Sequence, residues 1–395
     1  MLTAVIMSFG VISCCLGHGG GDHDGHLGAK GGSCIESERR ALLDIRPDMY
    51  DSGEIFSTWI GEDCCRWRGV ACDNNTSHVI KLDLHYPYSY TDDWDDGVNI
   101  CYLLNEMGAS KVNPALRDLK HLKYLDLSMN NFFGSHIPHM IASLVHLEYL
   151  NLSNAMFGGL IPPQLGNLSK LHFLDLGGCG HIDLRADDLD WLSRIPSLIH
   201  VNMSSVNLSK ATNWLHQVNS IPSLEHLDLS GNSLSGDIGQ ILRSLGSLEY
   251  LALDENKFDG DILEMVKNAP SSLQYLSLTF NHITGEISQK VKNLTNLEYL
   301  DLSYTNITRG ILMAFCDLFN LKSLILQGNN ISGQIPEIIG NLTNLKYLDL
   351  WYNNIIGAIP MAIGNLTNLK YLDLSDNNII GAIPMAIGNL TNLNI

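Results

Sequence analysis

Apolar and polar positions recur along this chain in one frame, Leu-x-x-Leu-x-Leu. Copies begin at Leu122, Leu147, Leu171, Leu224, Leu248, Leu273, Leu297, Leu321, Leu345 and Leu369, with a Val/Met variant at Leu198, and neighbours lie 24 to 27 residues apart. Within a copy, Leu125 and Leu127 alternate with Tyr124, Asp126 and Ser128. That period of two predicts a short strand with its leucines turned inward. A fixed period also marks a stacked architecture, in which no unit buries its apolar face alone. Identical strands then pair in parallel, about 4.8 Å apart, into one long sheet. The repetition reaches the letters themselves: NNIIGAIPMAIGNLTNL stands at 353–369 and again at 377–393.

Three residues past the last leucine of the frame comes Asn130, Asn232, Asn256, Asn281, Asn329, Asn353 or Asn377, and once Cys179. An asparagine there can engage the turn backbone with both its amide and its carbonyl, and stacking makes these bonds a ladder. Cysteine is a small, readily buried substitute. The second half of the unit reads Gly-x-Ile-Pro, as at Gly333 to Pro336, with further prolines at 138, 162, 360 and 384. Proline fixes φ and removes a donor, which predicts a chain returning along the convex side without central strand pairing.

The column before the second leucine is nearly uniform: Tyr124, Tyr149, Phe173, His200, His226, Tyr250, Tyr275, Tyr299, Ser323, Tyr347 and Tyr371. Such uniformity predicts packing between neighbours. Departures from the repeat's own consensus carry more information, because packing did not demand them. They are Asp254 and Glu255, Thr279 and Phe280, Tyr304, Gln327, and Trp351 and Tyr352, which fall in five consecutive repeats. Exposed aromatic side chains are typical binding anchors, so these eight residues are the candidate ligand-binding patch.

Composition narrows the partners. The 395 residues carry 42 acidic against 24 basic side chains, a net charge of −18, which argues against nucleic acid and anionic lipid surfaces. Residues 1–17 are apolar and read as a signal peptide, and 18–33 as a Gly/His-rich linker. His18, His23 and His26 in that linker are assigned no metal, and no cofactor is expected. No later stretch has the roughly 18 consecutive apolar residues of a membrane span. Zinc-hydrolase, nucleophile-elbow, phosphate-loop and kinase motifs are missing from the sequence, so the chain reads as non-catalytic. The repeated aspartates are one consensus position rather than a catalytic pair.

Two features point to export. Asn-x-Ser/Thr acceptors occur at Asn74, Asn75, Asn151, Asn167, Asn202, Asn207, Asn293, Asn306, Asn330, Asn341, Asn365 and Asn389, predicting a glycosylated convex and lateral surface. Cysteines 34, 64, 65 and 72 flank a short amphipathic segment around Glu36 to Ile45. A stacked sheet needs its apolar end covered, and residues 34–78 read as that disulfide-bonded cap. Four cysteines allow three pairings. Residues 79–395 then hold about 12 repeats, the first stretched by an insertion at 85–114 and the last incomplete. Cys316, like Cys179, reads as a buried thiol, and Cys101 lies in the insertion.

The Leu frame closed by Asn is the leucine-rich repeat signature, and the Gly-x-Ile-Pro segments resemble its plant extracellular subclass. The run Cys-Cys-x-Trp-x-Gly-Val-x-Cys at 64–72 resembles the amino-terminal cap of plant leucine-rich repeat receptors and polygalacturonase inhibitors. That likeness implies pairing Cys34 with Cys64 and Cys65 with Cys72. The insertion, and the tandem motifs Asp190-Trp191-Leu192 and Asn213-Trp214-Leu215, resemble receptor-like proteins that lack a kinase and are related to receptors for a fungal xylanase. The resemblance implies an α/β repeat solenoid, a right-handed superhelix with a parallel concave β-sheet. It also implies a non-catalytic ectodomain, secreted or at the cell surface, that binds a peptide, protein or glycan on its concave face. Such an ectodomain would signal in defence or development through a co-receptor kinase. Full-length members are single-pass plasma-membrane proteins, and against that pattern the chain reads as carboxyl-terminally truncated, its doubled segment a one-repeat duplication. The alternative is a secreted inhibitor of a cell-wall-degrading enzyme, similar to polygalacturonase inhibitors. Those have about ten repeats and a cysteine-bearing carboxyl-terminal cap, so length, insertion and Trp-Leu motifs favour the receptor.

Overall fold

The structure is a computed structural model that describes residues 34–49, 55–86, 111–178, 183–285, 293–308 and 310–393. The signal peptide, the Gly/His linker, most of the insertion with Cys101, and Cys179 lie outside the described residues. Within them the Leu frame does what its period requires. Each copy forms a three-residue strand, as at Tyr124–Asp126, His200–Asn202 and Tyr347–Asp349. Together with the first two strands, β1 (Val70–Cys72) and β2 (Val79–Asp83), they make one thirteen-stranded sheet. β1 is antiparallel to β2, and every later pair is parallel and in register, Leu125 opposite Leu150 and Leu348 opposite Leu372. Register follows from burial, because a one-residue slip would turn every leucine outward.

The inward column Leu125, Leu150, Leu174, Leu227, Leu251, Leu276, Leu300, Leu324 and Leu348 is buried throughout. Each such side chain contributes about 1.5–3 kcal/mol. The asparagine slot forms the expected ladder. Asn353 Nδ2 donates to the carbonyls of Leu326 (3.0 Å) and Leu350 (3.1 Å), while its Oδ1 accepts from Ile331 N (3.0 Å). Asn256 does the same with Leu229, Leu253 and Leu234. Thr305 fills one slot, its hydroxyl bonded to Leu302 O and Asn329 Oδ1. Ala155 and Val206 fill two more as buried apolar side chains.

The return path differs from the reading of its prolines. The extended segment after the asparagine slot pairs with its neighbours in short parallel strands, in repeats without the proline (Asp259–Asp261, His282–Gly285, Asn306–Ile307) and with it (Ser332–Gly333, Asn354–Gly357, Asn378–Ile379). Stacking the coils in register brings these extended stretches to equal heights, where their backbone edges can pair. Pairing lasts only two to four residues, whether or not the repeat carries the proline. Pro336, Pro360 and Pro384 then start one-turn 3₁₀ segments such as Glu337–Asn341 on the convex side. Trp191 and Trp214 are buried in this layer, Trp214 Nε1 donating to Ser235 O at 3.1 Å. The buried Cys316 thiol donates to Leu312 O.

The cap closes the other end. Helix α1 (Glu36–Ile45) buries Glu38, Ala41, Leu42 and Ile45 against the array. Disulfides join Cys34 to Cys64 and Cys65 to Cys72, with Cα separations of 5.3 and 5.4 Å. Trp59 and Trp67 stack at 5.1 Å and donate to the carbonyls of Arg68 and Ile60. Buried Glu38 spans the junction, accepting from Val79 N at 2.7 Å at the start of β2 and pairing with His78 Nδ1 at 2.8 Å. A buried carboxylate needs such partners, so this one fixes the cap on the first repeat.

Candidate ligand-binding wall

The outward positions of the parallel strands form columns that run the length of the sheet. In the first, rings stack from Tyr124 through Tyr149, Phe173, His200, His226, Tyr250 and Tyr275 to Tyr299, centroids 3.9 to 4.3 Å apart. Ser323 interrupts this column before Tyr347 and Tyr371 resume it at 4.2 Å. Burial holds the His200 and His226 imidazoles down at about 3 and about 4. The next column is mostly aspartate. Asp126, Asp301 and Asp373 each accept from the backbone N–H and hydroxyl of the serine two residues on. Burial pushes Asp175 up to about 7, and Asp301 and Asp349 to about 6.

The residue before the asparagine slot turns the chain out of the sheet, and it does so in the left-handed region in every described repeat that has one recorded. Met129, Asn154, Ser205, Glu255, Phe280, Tyr304, Tyr352 and Asp376 have φ between 50° and 62°, and Gly231 and Gly328 serve at 70° and 65°. Glycine or asparagine suits that conformation, and bulky side chains carry a cost of about 1 kcal/mol. Three of four consecutive repeats nevertheless place aromatic rings there: Phe280, Tyr304 and Tyr352. Phe280 and Tyr304 stack at 4.5 Å, and the Tyr304 ring lies over Gly328, where a Cβ would approach it to 2.4 Å. Phe280 is 43% exposed and Tyr352 61%. Trp351 is half-buried beside Tyr352, and its Nε1 donates to Asp376 at 2.8 Å.

The candidate patch therefore divides. Phe280 with Tyr304, and Trp351 with Tyr352, form two aromatic pairs on the wall, with half-buried Gln327 in the repeat between them and exposed Glu255 before them. Asp254 belongs instead to the scaffold. The two strands at Ala252 and Ser277 lack the column aspartate, and Asp254 Oδ1 accepts from Ser277 Oγ (2.5 Å) and Thr279 N (2.8 Å) in its place. Burial pushes it to about 7, and Thr279 is held through its backbone.

One further column went unread in the sequence. From the repeat at Leu224 onward, the position after the first leucine is Glu225, Glu249, Gln274 and Glu298, then Lys322, Lys346 and Lys370, so its sign reverses along that part of the wall. Lys322 meets Glu298 at 2.7 Å at the boundary, and Lys346 and Lys370 are exposed. Reading that column alone down the repeats would have found it. Asn151 and Asn202 likewise stand on concave strands, against the expectation of a purely convex and lateral glycosylation surface. They occupy the aspartate column. Among the described residues outside the cap, Asp83, His85 and Asp126 group their ligand-type atoms within 4.8 Å. That group is already satisfied: Asp83 meets His85 and Lys81, and Asp126 holds Ser128.

A disulfide-capped solenoid with one continuous parallel concave sheet defines a leucine-rich repeat protein, and the comparisons agree. Family models match as "Leucine rich repeat N-terminal domain" at 35–73, "Leucine rich repeat" at 271–331 and "Leucine-rich repeat region" at 308–395. Receptor-like protein EIX1 of Solanum lycopersicum is 42% identical over 213 residues, 53% of this chain and 20% of that protein. Receptor-like protein EIX2 of the same species is 35% identical over 203 residues, 51% and 19% respectively. The crystal structure of PEPR1–AtPEP1 superposes with a TM-score of 0.66 at 29% identity, covering 91% of this chain and 48% of that one. A TDR receptor structure gives 0.63 at 28% identity, covering 71% and 48%. The chain is a leucine-rich repeat protein similar to plant receptor-like proteins, and it spans about a fifth of the length of these curated relatives.

Proposed function

We propose that this chain is a ligand-recognition segment of a plant cell-surface receptor-like protein, binding an extracellular peptide, protein or glycan on its concave wall and signalling through a partner kinase. The reading is supported by plant receptor ectodomains among the structural neighbours, one of them in complex with AtPEP1 and another, RGFR1, with RGF2. One observation carries the placement on the wall: Phe280, Tyr304 and Tyr352 keep exposed or half-exposed aromatic rings at a left-handed position where the other repeats use Met129, Asn154, Ser205, Gly231, Glu255, Gly328 or Asp376. Non-glycine residues held in sparsely populated backbone regions cluster at binding and active sites. Rigid aromatic anchors on a preorganised surface are the usual centre of a binding site.

The test is capture from extracellular plant fluid by the secreted chain, compared with Phe280→Ala and Trp351→Ala. Both variants should fold, with unchanged circular dichroism, and retain at least tenfold less of the captured species. Undiminished retention by both removes the aromatic pairs from the reading.

A further inference from the structure

Asn151 and Asn202 differ from the other ten acceptor sites, which lie in the cap turn, on convex turns or on the lateral strands. Both sit in concave strands, Tyr149–Asn151 and His200–Asn202, at the aspartate position of the repeat. Their side chains are held in one orientation. Asn151 Oδ1 accepts from Ser153 N (3.0 Å) and Ser153 Oγ (2.7 Å), and Asn202 Oδ1 accepts from Ser204 N (2.9 Å). With the oxygen fixed, each Nδ2 points along the wall toward the preceding strand, 3.3 Å from Asp126 Oδ2 and 3.3 Å from Asp175 Oδ2 respectively. Those contacts are long, as is the second one that Asn151 Nδ2 makes, to the Tyr149 hydroxyl at 3.4 Å. Losing one hydrogen from each amide leaves the aspartate contact in place and gives up, at Asn151, only the longer Tyr149 contact. Beyond Asn202 no concave strand has an acceptor asparagine, since the same column continues Asp228, Ala252, Ser277, Asp301, Ile325, Asp349 and Asp373.

We propose that Asn151 and Asn202 carry N-linked glycans that rise from the concave sheet and shield its amino-terminal half, confining ligand access to the half that begins near Tyr250. The modification precedes strand pairing, while the acceptors are on extended chain. Asparagine Nδ2 bonds to C1 of the reducing-end N-acetylglucosamine of a lipid-pyrophosphate-linked oligosaccharide. The C1–O bond to phosphate breaks, the lipid pyrophosphate leaves, and the amide proton is released. After folding, the remaining Nδ2 hydrogen keeps the aspartate contact. The first sugar ring then leans over the preceding strand, the side occupied by Tyr124 and Phe173. Strands are about 4.8 Å apart, so a chain of two or three sugars at each site spans the strands between and beside the two attachment points. The aromatic pairs Phe280–Tyr304 and Trp351–Tyr352 lie outside that reach.

The inference rests on the concave-wall reading for its functional meaning, but its test uses no ligand. The full chain is secreted from a eukaryotic host and digested, and its glycopeptides are stripped of glycan by a peptide N-glycosidase in ¹⁸O water, which converts each formerly occupied asparagine to an ¹⁸O-marked aspartate. Asn151 and Asn202 should both be marked in most molecules, and an unmarked pair overturns the proposal. Hydroxyl-radical footprinting then compares the native chain with an Asn151→Asp/Asn202→Asp double variant, which restores the column's own residue and removes both acceptors. Oxidation of Tyr124 and Phe173 should rise several-fold in the variant, with Trp351 and Tyr352 unchanged. An equal response in the two halves, or none, overturns shielding even if the sites are occupied. Loss of ligand capture in Phe280→Ala bears only on the recognition reading.

Discussion

The cap and the repeat array solve the same problem, burial of apolar surface, with opposite kinds of linkage. In the array each contact is one of a series: the ring column, the asparagine ladder and the leucine column recur coil after coil. In the cap each contact occurs once: two disulfides, one stacked tryptophan pair, one carboxylate spanning the junction. Repetition distributes load along a quasi-one-dimensional molecule, whereas the cap concentrates it.

The largest effect should therefore come from the cap. On chain entropy alone, opening Cys34–Cys64 costs about 3.7 kcal/mol and opening Cys65–Cys72 about 2.5 kcal/mol, because the first closes the longer loop. Cys34→Ser should lower secretion and melting temperature more than Cys65→Ser. The reverse order would mean that the short loop holds the cap. In the array, Asn353→Ala leaves the Leu326 and Leu350 carbonyls and the Ile331 N–H without that partner, a loss of about 2 kcal/mol. Hydrogen exchange should show faster opening confined to the coils around 326–353, with α1 protected as before. Accelerated exchange in α1 would mean that cap and array unfold as one unit.

The leucine frame made the array legible, since its period fixes strand, register and core together, and the uniform aromatic column announced its own stacking. The short lateral strands were not legible, because the reading rested on the prolines, while Asp259–Asp261, His282–Gly285 and Asn306–Ile307 pair in repeats that lack them. The site was legible only in part. Asp254 looked like a departure from consensus, and its role appears only when Ala252 and Ser277 are seen side by side across the sheet. The concave placement of Asn151 and Asn202 was in principle readable from their position in the aspartate column. The left-handed bend at Phe280 and Tyr352 required the backbone.

A smaller contrast separates the wall from ordinary surface. Burial raises Asp301 from 3.8 to about 6, so between those values the folded chain holds a proton that the unfolded chain has released. Its contribution is then full below pH about 4 and is lost as pH rises through about 6. Subtracting the stability–pH profile of Asp301→Asn from that of the native chain should give a curve falling across that window. A rising difference would show that the serine bonds to the carboxylate outweigh its burial. The smallest effect is expected at Tyr352. Asn154 shows that asparagine fits the same left-handed slot, so Tyr352→Asn should leave stability within about 0.5 kcal/mol of native while weakening capture. A drop in melting temperature of several degrees would assign the ring to packing instead.

The gap in the ring column at Ser323 has a mechanical meaning. Upstream, eight rings in face contact brace the coils against one another, and downstream two more do so, but across Ser323 no ring is unstacked when the coil flexes. Phe280 and Tyr304 ride on one braced segment and Tyr352 on the other, so anything gripped by both would set the angle between them.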